Sequence, residues 1–170
     1  MEALLSLGSN VGDRLAWLVA ACAAIARLPD TCIVAKAPIY DTEPVDTQPA
    51  WQSHTYLNTV LAIETTLNPE QLSDAVHGIE TALGRVRGAD RNVPREIDID
   101  LIACGKQRRS QPGLFLPHPQ ATRRRFVCQP LADIRPELIL PGERRTVREL
   151  LASLPASPSV MRADDQWPDS

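Results

Sequence analysis

Pro94-Arg95-Glu96-Ile97-Asp98-Ile99-Asp100-Leu101-Ile102 alternates charged and aliphatic residues with a period of two. That pattern is the signature of a half-buried strand. Residues two apart on a strand share a face, so Ile97, Ile99 and Leu101 point into a core and Glu96, Asp98 and Asp100 point away from it. Two carboxylates about 7 Å apart repel by about 2 kcal/mol at an effective dielectric near 20. A solvated polar face tolerates that cost. A bound hard cation such as Mg²⁺ reverses its sign.

Upstream of the strand the chain carries Arg85, Arg87, Arg91 and Arg95, a cationic loop. Before the loop, Asn68-Pro69-Glu70-Gln71 is a helix start, with an Asn cap, Pro at the first helical position and Gln at the third. Leu72, Ala75, Val76, Ile79 and Leu83 form the apolar stripe of that helix, and Gly84 ends it. Thr55 to Thr66 reads as a strand, with Leu57, Leu61 and Ile63 on one face and Tyr56, Asn58, Val60 and Ala62 on the other. Asp41 to Pro49 is a polar, proline-punctuated loop, and Thr31 to Tyr40 is a further strand. Leu15, Leu18, Val19, Cys22 and Ile25 recur at helical spacing and stop before Pro29, with Asn10 or Asp13 as the cap. Ala3 to Leu7 is a buried strand that ends in the turn Gly8-Ser9-Asn10.

The resulting order, β-α-β-β-α-β, is the ferredoxin-like α+β arrangement. It carries a mainly antiparallel sheet with helices on one face. Downstream, Leu114 to Leu116 is expected as an edge strand. Phe126 to Ile134 is a short helical or irregular piece, and Thr146 to Leu154 a terminal helix. The expected organisation is one domain over residues 1–154, with a frayed tail over 155–170, where Pro, Ser and Asp dominate.

Composition narrows the function classes. The four cysteines, Cys22, Cys32, Cys104 and Cys128, form no C-x-x-C pair, so buried thiols in a reducing cytoplasm are expected. The apolar segment from Leu15 to Leu28 is too short to span a bilayer. A net charge of −3 conceals +6 between Gly84 and Arg125 and −9 elsewhere. Such a basic segment on an acidic body suits a local anion site better than a nucleic-acid coat.

Several constellations could carry chemistry. Tyr56 and Asn58, on one strand face, can stack on a flat heterocycle and read its edge. A cationic loop leading into a carboxylate pair is what polyphosphate handling requires. Leu116-Pro117-His118-Pro119, followed by Arg123, Arg124, Arg125 and Phe126, repeats the pairing of cations with an aromatic ring. Gly8-Ser9-Asn10-Val11-Gly12 is neither a Walker A loop nor a dinucleotide loop.

Six ordered motifs now resemble one family. They are Leu7-Gly8-Ser9-Asn10-x-Gly12-Asp13-Arg14, Tyr40-x-Thr42-x-Pro44, Tyr56-Leu57-Asn58, Gly84-Arg85-x-Arg87, Pro94-Arg95-x-Ile97-Asp98-Ile99-Asp100, and Pro117-His118-Pro119 leading to Arg124-x-Phe126. The family is 6-hydroxymethyl-7,8-dihydropterin pyrophosphokinase, and the likeness spans Leu4 to about Pro136. It implies transfer of the terminal diphosphate of ATP to a pterin alcohol in folate biosynthesis, with release of AMP. Asp98 and Asp100 would be the ligands of two Mg²⁺ ions. Arg85 and Arg95 would clamp the phosphates as catalytic groups. Glu80, Arg87, Arg91, His118 and Arg124 would complete the ATP contacts. Tyr56 and Phe126 would sandwich the pterin ring, and Asn58 with Thr42, Pro44 and Val45 would read its edge. Asn92-Val93 and Pro119 stand where relatives often place aromatics.

The resemblance implies small-molecule substrates, a monomer, and no nucleic-acid or membrane partner. Two rival readings are another Mg²⁺-dependent phosphotransferase, which would release ADP or phosphate, and an RNA-binding module. Aromatic content of 4% leaves Tyr56 as the one well-placed stacking residue, which disfavours RNA.

Overall fold

A computed structural model describes residues 1–45, 53–84 and 95–168. The chain is α+β, and it is built around the strand β1 (Glu2–Ser9), seven of whose eight residues are buried. Burial on both faces is what a central strand with cover on each side requires. On one side β1 pairs antiparallel with β5 (Asp98–Cys104), and on the other with β4 (Tyr56–Thr65). The ten residues of β4 are long enough for two partners in line. β2 (Thr31–Lys36) pairs with its Leu61–Thr65 half and β3 (Tyr40–Thr42) with its Tyr56–Asn58 half, both antiparallel.

The single strand expected over Thr31 to Tyr40 is therefore two. Pro38 stands between them and has no N–H to give to a ladder. The expected loop from Asp41 begins two residues late, because Asp41 and Thr42 belong to β3.

Two helices follow their sequence signals. α1 (Arg14–Ile25) is capped by Asp13, whose Oδ1 accepts from Ala16 N at 3.0 Å. α2 (Pro69–Ala82) opens on a complete capping box between Asn68 and Gln71. Both pack on the face of the sheet that carries Leu5, Leu7, Leu57, Leu61, Ile63, Ile99 and Leu101. α3 (Arg125–Ile134) lies on the opposite face, where Val127 and Leu131 meet Leu4, Val60, Ala62 and Ile102. α4 (Val147–Ser153), held by a capping box between Thr146 and Glu149, packs beside it.

Helices thus cover both faces, not one. The apolar content of the Phe126 to Ile134 stretch is buried by β4, and Pro130 sits inside the helix without preventing it. Leu114–Leu116 is a strand, β7, paired with β6 (Arg109–Gln111) in a small separate ribbon.

Part of the tail expected to be frayed is regular structure. Val160–Arg162 forms β8, which extends the main sheet by pairing with β3. Among the described residues, no helix is long and apolar enough to cross a membrane.

Candidate active site

Strand alternation delivers the site. Ile99 and Leu101 of β5 enter the core with α1 and α2, so Asp98 and Asp100 rise from the opposite face. Their neighbours on β1 are Gly8 and Ser6, and the next strand over places Asn58 beside Gly8. Thr42 on β3 and Tyr56 on β4 face each other in register. These side chains floor one cleft, and Arg124 and Phe126, at the start of α3, wall it. The face is open here because the apolar cover of α3 reaches only the other half of the sheet.

Asn58 and Thr42 are buried and bonded to each other, with Asn58 Nδ2 donating to Thr42 Oγ1 at 2.6 Å. Gly8 makes that arrangement possible. A Cβ at Gly8 would lie 2.6 Å from Asn58 Oδ1, closer than real Cβ contacts come. Asp98 and Asn58 stand two strand spacings apart across Gly8, roughly 10 Å.

The acidic end of the cleft is electrostatically tense. Burial, and then the charge of Asp98, push the Asp100 carboxyl up to about 6, while Arg124 and Arg95 pull it back. Arg95 Nη1 pairs with Asp98 Oδ2 at 3.1 Å. The backbone of Arg95 is locked to the Gly-Ser-Asn turn: its N–H donates to Asn10 Oδ1 at 2.8 Å and its C=O accepts from Asn10 N at 3.3 Å. Asn10 Nδ2 and Arg95 Nε are buried donors with no partner among the described residues, which suits an anion arriving there.

A divalent cation fits the same corner. Asp98 and Asp100 offer two hard carboxylates on one face, and among the described residues no group of three or more His, Cys, Asp or Glu gathers anywhere.

The other anticipated residues fall in four places. His118 lies close enough to Arg124 and Asp98 to feel both charges, and burial lowers its pKa first of all. Its Nδ1 accepts from Gln120 N at 3.2 Å, which assigns the proton to Nε2 and leaves a neutral donor. Val45 lines the cleft, and Pro44 lies in the same turn. Glu80 is only 1% exposed, and its Oε1 accepts from Ile99 N at 2.8 Å on the outer edge of β5. Arg85, Arg87 and Arg91 lie outside the described residues.

Ser6, Gly8 and Glu43 line the cleft and were missed as parts of the site, and Arg14 was missed as a support for β3. Gly8 and Arg14 were visible as motif letters, but their roles depend on which strands lie beside them. Arg14 reaches from α1 to Thr55 and pairs with Asp41 at 3.3 Å, fixing β3 against the start of β4.

Comparisons with known proteins agree on one family. A family model described as 7,8-dihydro-6-hydroxymethylpterin-pyrophosphokinase matches residues 4–136. Over 157 residues the chain is 44% identical to the 2-amino-4-hydroxy-6-hydroxymethyldihydropteridine pyrophosphokinase of Methylorubrum extorquens, covering 92% of this chain and 95% of that one. The enzyme of that name from Pseudomonas aeruginosa is 41% identical over 150 residues, 88% of this chain and 90% of the relative. A solved structure of an HPPK-DHPS protein in complex with substrates superposes with a TM-score of 0.69. It is 13% identical and covers 89% of this chain, but this chain spans only 42% of that longer one, so the likeness speaks to the fold.

Proposed function

The chain belongs to the 7,8-dihydro-6-hydroxymethylpterin-pyrophosphokinase family, and from that premise we propose how its cleft works as the active site. The enzyme is a diphosphotransferase of folate biosynthesis. It carries the terminal diphosphate of ATP to the hydroxymethyl oxygen of 6-hydroxymethyl-7,8-dihydropterin and releases AMP. The observation that carries the reading is the pairing, in one cleft, of a carboxylate end and an amide-hydroxyl end, roughly 10 Å apart across Gly8.

At the amide end, Tyr56 and Phe126 take the pterin ring between them, and Asn58, Thr42, Pro44 and Val45 read its edge. That orientation leaves the hydroxymethyl group over Gly8 and Ser6, aimed at Asp98 and Asp100. Asp98 and Asp100 would hold two Mg²⁺ ions, which when bound neutralise the phosphates and lower the pKa of the alcohol. Arg95 and Arg124 neutralise charge on the diphosphate as it moves, joined by Arg85, Arg87 and Arg91 of the cationic loop. Neutral His118 donates Nε2–H to a phosphate oxygen. Glu80 works at one remove from the nucleotide, because its carboxylate holds the Ile99 amide between the two aspartates. Little acid-base chemistry is asked of the protein, since in-line positioning and charge neutralisation dominate phosphoryl transfer.

The scaffold we assign is the ferredoxin-like βαββαβ arrangement, supported by the antiparallel order β5-β1-β4-β2 and by crossovers through α1 and α2.

The test is to incubate the protein with MgATP and the hydroxymethyl-dihydropterin and identify the nucleotide product. AMP is expected, and only with the pterin present. Asp98→Asn should lower the rate by at least about 100-fold with an unchanged circular dichroism spectrum. ADP as product overturns the reaction, and a near-normal rate in Asp98→Asn overturns the metal assignment.

A further inference from the structure

We propose that the tail from Ser157 to Trp167 is a positioning strap for the pterin-binding wall, with Gln166 as its key residue. This rests on the cleft being the pterin site.

The wall it holds is weakly built. β3 has three residues, it follows a proline, and its Thr42 sets Asn58. β8 supplies the missing outer neighbour by pairing Tyr40 with Arg162, Asp41 with Met161 and Thr42 with Val160. The grip continues past both ends of β3. Beyond Thr42, Glu43 N donates to Ser159 O at 3.1 Å, and Glu43 Oε2 accepts from Ser159 N at 2.7 Å. Before Tyr40, Ile39 N donates to Gln166 Oε1 at 2.9 Å, and Ile39 O accepts from Gln166 Nε2 at 2.9 Å and from Ala163 N at 2.9 Å.

One primary amide therefore bonds both main-chain groups of Ile39, as a facing strand residue would. That bond gives the Ile39 N–H an acceptor one residue outside β3, where the pairing with β8 ends. Trp167 Nε1 then donates to Ala37 O at 2.8 Å, and Lys36 lies 5.4 Å from the centroid of the indole ring. On the cleft side, Pro158 and Val160 share a small cavity with Glu43, Val45 and Phe126, so the strap backs residues that touch the ring.

A residue that sets this wall governs pterin binding and leaves the metal and nucleotide end untouched. The experiment compares full-length wild type with Gln166→Ala, Trp167→Phe and a chain ending at Ala156. Pterin Kd is read by the intrinsic fluorescence of the pterin, ATP Kd by calorimetry, and amide exchange is followed at residues 39–43.

Gln166→Ala is expected to raise pterin Kd and KM about tenfold. ATP Kd should stay within twofold, and exchange at residues 39–43 should quicken. Trp167→Phe should do the same more weakly. A purely structural tail would instead lower Tm and the active fraction while leaving both affinities alone, which overturns the proposal. So does a pterin Kd within twofold of wild type in Gln166→Ala, or a parallel weakening of ATP. If the shortened chain fails to fold, the point variants decide. A wild type that binds no pterin sinks the site reading itself, a result distinct from an unaffected variant.

Discussion

Gly8→Ala is the sharpest probe of the cleft because it adds a single methyl group at a known distance. The new Cβ would stand 2.6 Å from Asn58 Oδ1, so Asn58 must retreat by roughly 0.8 Å to reach ordinary contact at 3.4 Å. Its side chain cannot retreat freely, because Nδ2 is held at 2.6 Å by Thr42 Oγ1 in a buried pocket. Losing that bond with both groups still buried costs about 1–3 kcal/mol. Gly8 has no positive φ, so alanine brings no backbone strain there and recovers about 0.5–1 kcal/mol of chain entropy.

Global stability should therefore fall by at most about 2.5 kcal/mol, while Asn58, the proposed reader of the pterin edge, is displaced. Pterin KM is expected to rise at least about tenfold with ATP KM unchanged, since 1.4 kcal/mol is a factor of ten. Steady-state kinetics in each substrate, with a thermal melt, measures both arms. Asn58→Ser in the Gly8→Ala background gives the coupling, and the double variant should cost less than the sum of the single changes. Pterin KM within twofold of wild type, or additive effects, would refute the contact as the reason for glycine.

Two further perturbations address other parts of the molecule. Glu80→Ala orphans the Ile99 amide at the edge of β5 and should cost about 1–3 kcal/mol together with a drop in kcat. Glu80→Gln keeps an acceptor there and should retain most of both, as denaturant melts and turnover will show. Tyr40 donates to Asp133 Oδ2 at 2.6 Å, and burial followed by that bond pushes its phenol up to about 12. The folded pKa is raised, so the contribution is fully present below pH 10 and is lost as pH rises from 10 towards 12. Tyr40→Phe should be less stable by about 1 kcal/mol near neutrality and should show a shallower alkaline decline in melts between pH 9 and 12.

The strands around the site were legible because alternation is local. The faces of β4 and β5 follow from residue parity alone, and Asn68-Pro69-Glu70-Gln71 announces α2 through a cap that spans four residues. What escaped depended on distant partners. Nothing in Val160-Met161-Arg162 marks a strand; it becomes one because β3 offers an unpaired edge about 120 residues earlier. An acid on an amphipathic helix reads as solvent-facing, yet Glu80 is buried because the outer edge of β5 needs an acceptor. The stretch Phe126 to Ile134 was expected as helical or irregular, and it is helix α3 with Pro130 inside it. Gly8 read as a turn residue because its crowding comes from β4. The cationic arginines were recognisable as charge, and three of them fall outside the described residues.

The division of β5 between its faces bears on how this segment can change over generations. Ile97, Ile99 and Leu101 serve the interior, while Asp98 and Asp100 line the cleft, and the two sets interleave residue by residue. Replacing one letter disturbs one set. Inserting or deleting one letter would exchange the sets wholesale, turning aspartates inward and isoleucines towards the cleft. The register irregularity opposite Leu4 and Leu5, where Ile102 and Ala103 both join the second core, is the first place along the strand where an added residue is already absorbed. Lineages of this enzyme should therefore vary in length beyond Ile102 and drift only by substitution before it.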